Sequence, residues 1–201
     1  MKTMIDRCSA VGRFSHWIEV PSPPCSLAVG ATCGCDHFLL EKEIASRLNR
    51  AGRFDGARFH EFDPQDIRQL AGDPAIRSYI LVRAGLADSR YKEWNDYERV
   101  LRGLASIGGV VLFGSAAMDA THELPNVCRV MVGHCVACQE ADVSARIEPH
   151  PHEVRDMAEH ICGVFGQWLL RFDASLPPRG HLMSHQETEA LLGTRNRAVT
   201  C

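Results

Sequence analysis

A continuous apolar run, Val110-Val111-Leu112-Phe113, set between the pair Gly108-Gly109 and the turn Gly114-Ser115, restricts the fold more than any other feature. A strand that is apolar on both sides must be covered on both, which is the situation of a parallel sheet flanked by helices. The preceding stretch agrees, because Trp94, Tyr97, Leu101 and Leu104 recur at intervals of three and four. That spacing makes one face of a helix stopping near Gly108.

The same alternation recurs along the chain. Ser26 to Gly30 reads as a strand, and Leu40, Ile44, Leu48 and Ala51 mark a helix from Phe38 that stops at Gly52. Ala57 to Phe62 reads as a second strand, and Asp63 followed by Pro64 and Asp66 opens a short helix. Ser78 to Val82 is expected as a third strand ending near Gly85, with Asp88 or Ser89 capping the helix that carries Trp94. Val110 to Phe113 and Val127 to Val132 complete five strands, and Val154, Met157, Ile161, Phe165 and Trp168 stripe a helix over Glu153 to Leu170. The expectation is an α/β fold, a single Rossmann-like domain with a mostly parallel sheet of about five strands and helices on both faces. Residues 1–25, ending in Pro21-Ser22-Pro23-Pro24, read as an extended N-terminal leader, and 26–173 as the core. Residues 174–201 read as a Pro-rich linker and a tail helix capped by Ser184 with Glu187, a candidate contact for a protein partner.

A chain of 201 residues with 45% hydrophobic and 23% charged residues has the make-up of one globular domain. Its longest apolar stretches, over 108–118 and 161–170, fall short of the roughly 20 residues a membrane span needs. Asp6, Arg13, His16 and Glu19 interrupt the amino end where a secretory signal would be continuous, so a cytoplasmic location is expected. At a net charge of -3, with arginines dispersed, neither nucleic acid nor membrane is expected as a partner. Nine cysteines, an odd number without a secretory signal, are expected as reduced thiols.

In a parallel sheet, ligands bind beyond the carboxyl ends of the strands, where helix amino ends offer free amides. The turn after the first strand reads Gly30-Ala31-Thr32-Cys33-Gly34-Cys35-Asp36-His37, and Gly30, Thr32 and Gly34 would let backbone amides approach a phosphate. Gly85, Asp88, Gly114 and Ser115 are the matching candidates in later turns, and neither a P-loop nor a G-x-S-x-G elbow occurs. Asp36 and His37 are candidates for acid–base work. Cys33 is a candidate nucleophile, because a helix amino end stabilises a thiolate. Asp119, His122 and Glu123 fall in or near a further turn. Cys33, Cys35, Cys135 and Cys138, with His134 alongside, would share one rim if the first and fifth strands ran parallel. Four such thiols would suit a zinc or iron–sulfur centre. His150 and His152 read as solvated loop histidines, Trp94 and Tyr97 as core.

The segment from Ile80 to Ser115, with Val82, Gly85, Asp88, Trp94, Tyr97, Leu101, Leu104 and Gly109 to Gly114, resembles part of the family 9 glycosyltransferases, the heptosyltransferase-like group. In that family a strand, a glycine-bearing turn, a helix with a tryptophan and a second apolar strand begin the nucleotide-sugar half of a two-domain fold. The resemblance implies that Gly85, Asp88 and the Gly114-Ser115 turn lie near a nucleotide diphosphate, and this chain has room for one of the two halves. Three functions follow as expectations. The first is binding of a phosphorylated or nucleotide-type ligand by a glycosyltransferase-like transferase, the second a thiol or metal protein, the third a regulatory module without catalysis.

Overall fold

The computed structural model describes residues 9–31, 38–54, 56–87, 94–132 and 151–175. Four strands form one sheet: β1 (Ser26–Ala31), β2 (His60–Phe62), β3 (Val110–Phe113) and β4 (Val127–Val132). Their order is β2-β3-β1-β4 and every neighbouring pair is parallel. All four residues of β3 are buried, as an inner strand covered on both faces requires.

Among the described residues seven helices surround the sheet: α1 (Ala10–Glu19), α2 (Phe38–Arg50), α3 (Pro64–Gly72), α4 (Pro74–Arg83), α5 (Asp96–Ile107), α6 (Ser115–Ala120) and α7 (Pro151–Ser175). The strands' alternation splits the core in two. Leu27, Val29, Val111, Phe113, Cys128 and Val130 face α2 and α7, while Ala28, Phe62, Val110, Leu112 and Val127 face α1 and α3 to α6. The α/β class and the cover on both faces therefore match expectation, with four strands in place of five.

The strand expected over Ser78 to Val82 is helical instead, the main part of α4. Asp73 caps it, its carboxylate accepting from the amides of Ala75 and Ile76 at 2.9 and 3.1 Å, with Pro74 in the first turn. Its exit is a Schellman turn, in which Leu86 N–H donates to Leu81 O and Gly85 N–H to Val82 O. Gly85 thus stops a helix and does not follow a strand, so the first of the two strands implied by the glycosyltransferase resemblance is helical, while the second is β3.

The leader read over 1–25 is also corrected. Residues 10–19 are helical and bring Ala10, Phe14 and Trp17 into the core. Ser9 caps this helix, and Trp17 Nε1–H donates to Gly108 O at 3.3 Å. The prolines after α1 run close beneath Gly108, where an added Cβ would lie 2.3 Å from Pro23 O. α5 begins at an Asn95 cap, whereas Asp88, Ser89 and the tail 176–201 lie outside the described residues.

Candidate functional site

Chain direction at the carboxyl rim of the sheet defines the site. β1 and β3 are adjacent, and from β1 the chain reaches α2 on one face while from β3 it enters α6 on the other. In open α/β sheets the usual ligand position lies outside the strand ends where the chain diverges in this way.

Gly114 closes β3 at φ 101°, ψ 170°, a conformation essentially confined to glycine, and its N–H donates to Val29 O at 2.9 Å. This bond extends the β1–β3 ladder by one step and turns the chain into α6. Among the described residues an added Cβ at Gly114 would meet nothing within 4 Å, and Ser115 beside it is exposed. Gly30 differs. Its Cβ would lie 2.8 Å from Met118 Cγ and 2.9 Å from Met131 Sδ, so its lack of a side chain is explained by the close seating of those methionines.

Past β2 lies a polar group that sequence reading assigned only in part. Asp63 and Asp66 form a reciprocal cap on α3, with Asp66 N–H donating to Asp63 Oδ1 at 2.7 Å and Asp63 N–H to Asp66 Oδ2 at 3.2 Å. Arg13 of α1 is paired with Asp66. Burial nevertheless outweighs that guanidinium and raises the Asp66 carboxyl above its ordinary range. Tyr97, in the first turn of α5, is likewise raised, first by burial and then by the Asp63 and Glu41 carboxylates, with Arg68 opposing. The Arg68 guanidinium lies 5.9 Å from the Tyr97 ring centre. Glu41 is buried in the first turn of α2. Its position was legible, since residue 41 falls on the same helical stripe as Ile44, Ala45 and Leu48.

Gly85 is set apart from Gly114 and Ser115. It lies two residues beyond Arg83, whose guanidinium is 6.0 Å from the Trp17 ring, and Trp17 is bonded at the amino end of β3. Asp119, His122 and Glu123 sit late in α6 and in the turn toward β4, where Glu123 is 3.5 Å from Arg102 and 3.4 Å from His122 Nε2. His152 is exposed in the first turn of α7 rather than in a loop. Trp94 and Tyr97 pack partly buried against the core, with Arg102 5.5 Å from the Trp94 ring centre.

Thr32, Cys33, Gly34, Cys35, Asp36, His37, Asp88, His134, Cys135, Cys138 and His150 lie outside the described residues. No protein family, curated protein or solved structure matches the chain. Among the described residues no cluster of three or more His, Cys, Asp or Glu could hold a metal. The described thiols Cys25, Cys128 and Cys162 are buried, and burial pushes Cys128 and Cys162 up to about 12. Groups protonated at that level are poor nucleophiles and poor ligands at neutral pH.

Proposed function

We propose that the protein binds a phosphorylated or nucleotide-type ligand at the carboxyl rim of its sheet, above the junction of β1 and β3, and carries out group transfer there. The observation that carries this reading is the divergence of the chain from two adjacent parallel strands to opposite faces. The space left at Gly114 by the described residues and the exposure of Ser115 support it. On this reading Asp36, His37 and Cys33 are the candidates for chemistry, with Thr32, Gly34, Gly114 and Ser115 around the ligand. The domain is then Rossmann-like in use, although its order β2-β3-β1-β4 departs from the 3-2-1-4 arrangement of the doubly wound fold. The glycosyltransferase-like character rests on the resemblance over 80–115, reduced to β3 and the turn at Gly114.

Calorimetric titration with ADP, UDP and UDP-sugars tests the proposal. At least one should bind, and Ser115→Trp, which adds bulk from an exposed position, should weaken binding tenfold or more with the unfolding midpoint unchanged. Failure of all these probes to bind, or unchanged affinity in the variant, refutes it.

A second reading, a thiolate metal centre, is favoured by the pairing of β1 with β4. Their register runs to Ala31↔Val132, so the chain leaves both strands from adjoining positions roughly 4.8 Å apart. Cys33 follows by two residues and Cys135 by three. At no more than about 3.6 Å per residue, both are tethered within about 11 Å of that exit. Metal content and thiol titration of anaerobically purified protein test it. About one zinc or one iron–sulfur cluster per chain, with four thiols released by a chelator, is expected; metal-free protein with those thiols reactive removes the reading.

A further inference from the structure

His60 opens β2 at the amino edge of the sheet, opposite the rim just described, and points to the face on which α1 lies. Its backbone N–H donates to Gly109 O at 2.9 Å, which fixes the residue in the ladder with β3. The ring meets His16, in the second half of α1, with centroids 5.2 Å apart and planes tilted by 56°. His60 Nε2 is buried without a hydrogen-bond partner among the described residues. A buried imidazole nitrogen in that condition costs free energy when neutral and far more when the ring is charged.

We propose that His16 and His60 form an acid-sensitive latch that holds α1 against the sheet, and that protonation of His60 releases the carboxyl half of the helix.

The electrostatic surroundings make protonation incompatible with the docked helix. The charged groups that act on His60 are His16 and Arg58, both of the same sign as an imidazolium. Burial first, then His16 and Arg58, lower the His60 pKa to about 4. No carboxylate offsets them. On α3, Asp66 is engaged with Arg13 and Asp63 caps the helix; on α2, Glu43 pairs with Arg47 and Arg50; β3 carries no charged residue. Glu61 projects from the opposite side of β2, and Glu19 ends α1 without acting on the ring. Once α1 lifts, the His60 ring meets water and titrates near 6.5. The released form therefore binds the proton more tightly between pH 6.5 and about 4, and its population should rise about tenfold per unit of acidification across that window. Asp66, near the other end of α1, works in the opposite sense, because a carboxyl raised in the docked state favours docking in acid. The helix thus opens from the His16 end, which also carries the Trp17 contact to Gly108. Beneath it lies an aromatic surface in which Trp17 meets Phe62 at 6.2 Å and Phe14 meets Tyr79 at 5.8 Å.

Hydrogen exchange of the full chain, read by mass spectrometry from pH 7.5 to 4.5 and referred to intrinsic rates at each pH, tests the latch. Protection over residues 14–19 should fall about tenfold per unit below pH 6.5 while amides of β1 and β3 keep theirs. In His60→Phe the α1 protection should no longer fall on acidification. His16→Gln, which keeps the His60 ring and removes one like charge, should leave the onset of the loss in place and reduce its total extent, and it serves if the first variant does not fold. Protection of α1 that is independent of pH to 4.5, that disappears together with the strands, or that falls equally in every variant that folds overturns the proposal.

Discussion

Gly108 and Gly114 bracket β3 with the same backbone conformation, φ near 100° and ψ near 170°, which residues with a Cβ scarcely adopt. Their demands differ in packing. Beneath Gly108 runs the backbone of Pro23 and Pro24, whereas Gly85, at φ 69°, faces open space. Gly108→Ala should therefore cost roughly 3 kcal/mol or more, from strain plus collision, and Gly85→Ala about 1 kcal/mol, from strain alone. Urea unfolding of the two variants measures this, and equal losses would contradict the close approach at Gly108. At this scale the sequence was informative where a residue's role is local. The Asp63-Pro64-Asp66 cap was readable because its partners lie within a few positions. Gly30 was not, because the methionines that fill its space arrive from α6 and β4, far along the chain.

Among the elements, α4 illustrates how local propensity misleads. Ser78-Tyr79-Ile80-Leu81-Val82 is rich in strand formers, yet the residues that meet the core, Ile76, Ile80 and Leu81, follow helical spacing. The deciding signal was Asp73-Pro74, the same pairing that opens α3. Asp73→Ala should lower stability by about 1 kcal/mol in chemical unfolding, since its carboxylate serves two first-turn amides. No change would mean that packing alone holds α4. In α1 the stripe Ala10, Phe14, Trp17 behind the Ser9 cap is equally regular, while Arg13 and His16 between its members are half-buried against Asp66 and His60. β2 lies at the other limit, since three residues are too few for a period to establish itself.

Across the whole molecule, the class of fold was legible and the strand order was not. Alternating strands and helices dictate layers, but which strands become neighbours depends on contacts between distant segments that no local pattern encodes. That order governs the two functional readings, because β1 is adjacent to β3, on which the proposed ligand site rests, and to β4, on which the proposed metal centre rests. The burial of Cys25, Cys128 and Cys162 sharpens the thiol measurement. Those three should stay silent in the native protein, and a chelator should release four of the other six among nine. The order also bears on synthesis. β1 and β2 never pair with each other, and each waits for β3, so no two neighbours of the sheet exist together until the chain has grown past residue 110. A nascent chain of half this length holds two strands with no partner for either, and the distant pairings that close the sheet make folding a late event with a slow search. The ribosome thus extends the chain past residue 110 before the sheet can begin to assemble.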